Sequence, residues 1–163
     1  KVEIKRLDPS IEFCTWLQNH LLLFDTSIQH VSGEIHDKIW QQFHDHDEQV
    51  IQGLDLIRDA GLSMASAIHD EDISQVINSM RMVMLGIDLI DEKLHDPFRD
   101  VLTPLEGIGS VLAWKAMGAG GGGIVGVLVE GGEHAKSSLI QATESAGWTQ
   151  LQWEIEYSGI NQQ

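Results

Sequence analysis

The chain has 163 residues, enough for one domain that buries a core without disulfides or metal. Its 25 acidic residues against 10 lysines and arginines give a formal net charge of −15, which excludes a nucleic-acid backbone or an anionic membrane surface as partner. The single cysteine, Cys14, has no internal bridging partner and fits a reducing, cytoplasmic setting. No apolar run approaches the roughly 20 residues of a membrane span, and the opening Lys1-Val-Glu-Ile is no signal peptide.

Val2 to Leu7 alternates apolar and polar residues, as a short strand does. Asp8 then reads as an N-cap, with Pro9 at the first helical position and Ile11, Trp16 and Leu17 facing inward until about Asn19-His20. Leu21 to Phe24 is a continuous apolar run, expected as a buried strand that Asp25-Thr26-Ser27 ends. Helical spacing follows through Ile35, Ile39, Phe43, Val50, Ile51, Leu54 and Ile57, with a polar break around His46 and another interruption at Gly61. After a boundary at His69-Asp-Glu-Asp72, a second helical stripe runs from Ile73 to Leu94. Pro97 and Pro104 are expected to bracket a loop, and a third helix to run from about Leu105 to Met117. Ile124 to Val129 reads as a buried strand and Glu133 to Ala146 as a helix closed by Gly147. Leu151, Trp153, Ile155 and Tyr157 alternate with polar residues as a half-exposed strand does. Two β-α-β units separated by helices predict an α+β fold, a ferredoxin-like split β-α-β plait. Its four-stranded antiparallel sheet carries additional long helices, and residues 1–163 form a single domain.

Five glycines, Gly118, Gly120, Gly121, Gly122 and Gly123, fall within six positions. They match glycine-x-glycine-x-x-glycine literally, but a dinucleotide site needs a strand before the loop and a helix after it, whereas here a helix is expected before and a strand after. No lysine-serine or lysine-threonine pair closes the run, which excludes the Walker phosphate loop. Bare backbone of this kind forms a nest of N–H groups for an anion, or lets another loop approach without any Cβ in the way. The bland alternative is a flexible turn, for which one or two glycines suffice. Lys115 adds a positive charge three residues upstream.

Lys115-Ala-Met-Gly-Ala-Gly-Gly-Gly-Gly123 resembles the third signature of the GHMP kinases, the galactokinase, homoserine, mevalonate and phosphomevalonate kinase superfamily, which is likewise followed by an apolar strand. Leu21-Leu-Leu-Phe-Asp-Thr26-Ser-Ile-Gln-His30 is similar to the strand and tyrosine-threonine-glycine-x-x-arginine turn of the sugar-kinase branch that includes the heptose-phosphate kinases. The resemblance implies the C-terminal half of an ATP-dependent sugar or sugar-phosphate kinase, forming one wall of the cleft. Lys115, Gly118, Ala119, Gly120, Gly121, Gly122 and Gly123 would then lie in the phosphate-loop region, and Thr26, Ser27 and His30 on the substrate side. It implies ATP and Mg²⁺ in the complete enzyme, neither held tightly by this chain alone, and an N-terminal kinase domain as partner. Met117 departs from the family's hydroxyl residue, Ser110 and Ala113 from frequent glycines, and Ser27 and His30 from the glycine and arginine of the turn. The family's proline-x-x-x-glycine-leucine-x-serine-serine motif is absent, so no catalytic residue is assigned. The rival reading is a stand-alone binding or regulatory module with the same plait, its exposed sheet face able to pair in a homodimer.

Other candidates have simpler explanations. His44 and His46 of His44-Asp-His-Asp-Glu48 project roughly 200° apart on a helix, so the run reads as a solvated face and not a metal site. Met80 and Met84 read as core, Trp148 and Trp153 as packed on the sheet, and Cys14 as inert. Trp114, beside the glycine run, is a candidate for lining a ligand pocket.

Overall fold

The computed structural model describes residues 6–29, 32–118 and 120–157. Helix α1 (Ile11–His20) leads into strand β1 (Leu21–Asp25), and four helices follow: α2 (Ser32–His44), α3 (Glu48–Asp70), α4 (Ile73–Asp91) and, after a 3-10 turn at Glu92–Leu94, α5 (Asp96–Gly107). The chain closes with β2 (Val111–Ala116), β3 (Ile124–Val129), α6 (Glu133–Ser145) and β4 (Thr149–Leu151). The sheet order is β2-β3-β1-β4, and each of the three neighbouring pairs is antiparallel. β1 is therefore parallel to β2 with β3 between them, and β3 is parallel to β4 with β1 between them. Two split β-α-β units interleave, and the α+β plait expected from the sequence is present.

Its strands are partly different ones. The expected opening strand falls mostly on residues 1–5, outside the described residues, and Arg6 and Leu7 are not in a strand. The fourth strand is instead β2, where a helix from Leu105 to Met117 was expected. Gly107 ends α5 and Gly109 takes φ +77°, so the helical pattern cannot run on. A bulge between Val111 and Ala113 then breaks the period-2 alternation. It places Leu112 and Ala113 with one core and Val111, Trp114 and Ala116 with the other, which hides the strand from periodicity. Pro97 and Pro104 both lie within α5 and do not bracket a loop. β4 is only three residues long, and residues 152–157 are not in a strand; Trp153 donates from Nε1 to the Leu21 carbonyl at 2.9 Å.

Helix boundaries follow local chemistry. Ser10, not Asp8, caps α1 by accepting from the Phe13 N–H, and Ile11 is 74% exposed while Phe13 and Cys14 are buried. His46 at φ +59° separates α2 from α3, and Asp47 accepts from the Gln49 and Val50 amides to start α3. Gly61 does not interrupt α3, which continues to Asp70; Glu71 in the left-handed region and Asp72 as the next N-cap make the turn into α4.

The sheet is covered on both faces. Phe98, Leu102 and Leu139 from α5 and α6 pack on Phe24, Trp114, Val125 and Val127. Phe13, Ala67, Val76 and Met80 from α1, α3 and α4 pack on Ala113 and Leu128. Ile73–Leu94 is long and apolar enough, by length and composition, to cross a membrane, which corrects the expectation that no segment reaches that length. In this fold α4 packs on α3 and β2, and Arg81 donates to the Leu112 carbonyl at 2.8 Å.

The α3–α4 contact is close because glycines face each other. A Cβ on Gly53 would lie 2.5 Å from the Gly86 carbonyl oxygen, and one on Gly86 would lie 2.8 Å from the Gly53 carbonyl oxygen and 2.7 Å from Ile57 Cγ1. Backbone cannot yield as a side-chain tip can, so overpacking here separates the helices. Gly86→Ala is expected to lower unfolding stability by about 1–3 kcal/mol despite alanine's better helix propensity. Gly61→Ala, with nothing within 4 Å of the added methyl, should leave it unchanged or raise it. Urea denaturation of both variants reads the difference.

Candidate functional site: the glycine hairpin and its supports

The glycine run connects two adjacent antiparallel strands, β2 and β3, so a strand stands on both sides of it. The expected preceding helix is corrected to a strand. The dinucleotide reading still fails, because no helix follows.

Gly118, Gly120, Gly121, Gly122 and Gly123 all take positive φ, at +109°, +84°, +77°, +152° and +74°. L-residues rarely adopt such values, so the clustering of glycine has a backbone cause. The loop is also docked against the protein itself. Gly121 donates its amide to the Leu94 carbonyl at 2.8 Å, and Gly123 donates to Ile28 at 3.1 Å. A Cβ on Gly122 would lie 2.5 Å from the Ile28 carbonyl oxygen, and one on Gly120 3.1 Å from Leu94 Cβ. The bare backbone thus admits two other segments, the turn after β1 and the end of the 3-10 turn. Gly118, Gly120 and Gly122 donate to no described acceptor. The sign of φ does not alternate over residues 120–123, as it does in an αR-αL anion nest.

Thr26 holds the other side. Its backbone N–H and its hydroxyl both donate to the Gly123 carbonyl, at 3.0 and 2.7 Å, and the hydroxyl accepts from Ile28 N–H at 3.3 Å. Only 4% exposed, Thr26 anchors the hairpin, while Ser27 beside it is exposed at φ +58° with its amide on Asp25 Oδ1. His30 and Ala119 lie outside the described residues. Met117 lies over Gly126; a Cβ on Gly126 would come 2.4 Å from its Cε.

Lys115 lies on the sheet face toward α3 and α4. It lines two apolar cavities, one shared with Gly118, and its ammonium donates to the Ala116 carbonyl at 2.8 Å. Burial pushes its pKa down from the ordinary lysine value. Trp114 is 1% exposed and packs against His95 and Phe98. Among the described residues no three or more His, Cys, Asp or Glu gather in a cluster able to hold a metal ion.

A polar joint supports the loop from below. Asp88 on α4 accepts from His95 Nδ1 and from Arg99 Nη2, both at 2.6 Å, and Arg99 also reaches the Glu92 carbonyl at 3.3 Å. His95 directly follows Leu94, whose carbonyl receives Gly121. With Nδ1 donating to the carboxylate, Nε2 is left as an acceptor, and it is buried without a partner among the described residues. Sequence reading missed this joint, although Asp88, His95 and Arg99 stand at i, i+7 and i+11, the spacing of one helical face.

No protein-family model and no curated protein sequence matches the chain. Solved structures do. The chain superposes on a Streptococcus pneumoniae phosphomevalonate kinase, in complex with phosphomevalonate and AMPPNP, with a TM-score of 0.62 at 15% identity, covering 81% of this chain and 38% of that one. The fold matches part of that kinase. A Lin0012 protein from Listeria innocua matches with a TM-score of 0.69, also at 15% identity, over 91% of this chain and 39% of that one. The chain thus spans about two-fifths of the length of these two solved structures.

Two measurements check the geometry. Gly122→Ala meets both forbidden φ and the Ile28 carbonyl, and is expected to cost about 1–3 kcal/mol. Gly118→Ala, strained in φ but sterically open, should cost about 1 kcal/mol; chemical unfolding followed by circular dichroism orders the two. Burial, opposed in part by Asp88, lowers the His95 pKa below its ordinary value of 6.5. The unfolded chain therefore binds the proton more readily, and stability is full above about pH 6.5 and falls as pH drops below it. His95→Gln should flatten the stability profile between about pH 7.5 and 5.5 relative to the parent chain.

Proposed function

We propose that the chain is the C-terminal half of an ATP-dependent small-molecule kinase, with the glycine hairpin as one wall of the active-site cleft. The observation that supports this best is the hairpin itself: a polyglycine signature in a GHMP-like plait, with amides of Gly118, Gly120 and Gly122 donating to no described acceptor. In phosphoryl transfer the protein's task is positioning and charge stabilisation, and backbone amides held rigidly can do both without a side chain.

The roles divide differently from the sequence expectation. In this reading Gly121, Gly123 and Thr26 fix the loop, and exposed Gly118 offers its amide to the phosphates or to the phosphate-binding loop of an N-terminal domain, since Gly120 and Gly122 are buried. Ser27, exposed beside the hairpin, is assigned to the substrate side on the resemblance alone, and His30, assigned with it, lies outside the described residues. The substrate class is a sugar, a sugar phosphate or another small phosphorylated alcohol; the pneumococcal neighbour was solved with phosphomevalonate. ATP and Mg²⁺ belong to the complete enzyme. Reading the chain as a non-catalytic binding module is favoured by one observation, the engagement of Gly121 and Gly123 by internal carbonyls.

The test is a coupled ADP-release assay, confirmed by phosphorus NMR of the product, on the longest natural protein that carries this chain. Sugars, sugar phosphates and phosphomevalonate are the trial acceptors. ATP-dependent phosphorylation of one of them is expected, with none from residues 1–163 alone. Turnover by the isolated chain, or no ATP binding by the longer protein, would sink the reading.

A further inference from the structure

Lys115 sits in the wrong place for a surface lysine. Its side chain leaves β2 on the face that packs against α3 and α4 and forms part of the wall of two adjoining cavities. The larger, about 430 Å³, runs between α1, α3, α4 and the sheet, past Leu17, Met64, Met80 and Leu128. The smaller, about 270 Å³, lies under α2, past Trp40 and Leu94. Ile57, Val83 and Lys115 are common to both. Volumes of this size fall at the scale of small-molecule sites.

Charge decides what kind of molecule fits. The chain carries 25 Asp and Glu, yet neither cavity has one in its wall, and the polar lining is confined to groups such as His36, Lys115 and Ser79. Lys115 has no carboxylate within ion-pair distance among the described residues; its one hydrogen bond is to the adjacent Ala116 carbonyl. Two of its three N–H donors are therefore without a protein acceptor. A half-buried ammonium without a counter-charge is costly, and burial lowers its pKa accordingly. An anion at that point would restore the charge, and an apolar tail would fill the space beside it.

We propose that the cavities bind a monomeric single-chain amphiphile with an anionic carboxylate head, the head paired with Lys115 and the hydrocarbon tail lying between α1, α3 and α4. The site meets the glycine run only at Gly118, which lines the smaller cavity, and does not depend on the kinase reading. Short polar anions such as inorganic phosphate lack the tail, and cationic amphiphiles meet the wrong charge. The overall negative charge of the protein weakens long-range attraction for the head, so affinity rests on the local ion pair and on tail burial together.

The experiment is isothermal titration of the 163-residue chain with dodecanoate, dodecanol and dodecyltrimethylammonium, each as monomers, repeated on Lys115→Met. Methionine keeps the apolar lining and removes the charge, so the variant is expected to fold. Dodecanoate should bind the parent chain at one saturable site and lose at least about tenfold in affinity on Lys115→Met, the size of a lost charge-assisted contact. Dodecanol should bind both within about twofold, since its tail contacts are unchanged, and the cation should bind the parent more weakly than dodecanoate does. Equal binding of dodecanoate to both proteins, preference for the cation, or no saturable binding would overturn the proposal. So would loss of dodecanoate binding in the longest natural protein carrying this chain, because the groove would then belong to its other segments. Thermal unfolding of Lys115→Met without ligand controls for folding.

Discussion

Pairing of β1 with β3 is the contact on which the rest of this structure depends. These strands are the two central members of the sheet, and five residue pairs join them, from Leu21 with Leu128 to Asp25 with Ile124. The ladder continues past the strand ends through Thr26 and Gly123, and then through Gly123 and Ile28. It closes a loop of about a hundred residues, containing α2 to α5 and β2. Closing so long a loop costs several kcal/mol of entropy, though the cost rises slowly with length. The insertion can therefore be large as long as the two central strands find each other. Their sequences ensure that: Leu21 to Phe24 and Ile124 to Val129 are both continuous apolar runs, as strands covered on both faces need to be.

The same contact sets the geometry of the candidate site. Because the Thr26 hydroxyl and amide converge on one Gly123 carbonyl, the hairpin cannot swing without breaking the end of the β1–β3 ladder. On its other side the Leu94 carbonyl receives Gly121, and Leu94 is placed by the Asp88–His95–Arg99 joint between α4 and α5. The glycine loop is thus a rigid element clamped from two directions. Rigidity is what a wall of backbone amides requires if it is to stabilise charge, since loose donors must reorganise when the charge appears. Glycine serves here for close approach and positive φ, and flexibility is not its use.

Which parts of this were legible in the sequence follows from how each part is encoded. The plait, β1, β3, α4 and α6 show in periodicity and in apolar runs, because both reflect burial directly. Turns such as His69 to Asp72 show in capping chemistry. β2 does not, because its bulge places Leu112 and Ala113 in one core and Trp114 in the other, and the period of two is lost. Pro104 also misleads, since it lies inside α5. The glycine run announces itself by composition, but its partners Leu94 and Ile28 act through carbonyl oxygens, which every residue possesses, so no residue type marks them. The Asp88–His95–Arg99 joint has a helical spacing that can be read, yet a 3-10 turn interrupts the helix between its members. Lys115 is the clearest case of a residue singled out for one reason and placed for another. Proximity in sequence ties it to the glycines, while strand alternation sends it to the opposite cavity face.

That separation gives the two faces of the sheet different physical characters. Toward α5 and α6, large side chains such as Trp114, Phe98, Leu102 and Leu139 are almost wholly inaccessible, and Trp148 and Phe24 complete an aromatic cluster. Toward α1, α3 and α4, the sheet presents Leu21, Leu128 and Lys115 together with the small Ala113 and Gly126, and Met117 lies against Gly126. The helices on that side are held at their own spacing by the Gly53–Gly86 contact, which draws α3 and α4 together and does not press them onto the sheet. Unfilled volume remains on this side, in the cavities beside Lys115. A chain whose only need was stability would fill that volume with larger side chains and replace the lysine by an apolar residue. Both faces carry a buried core, but the one toward α5 and α6 is closely filled and the unfilled volume lies on the other, beside Lys115.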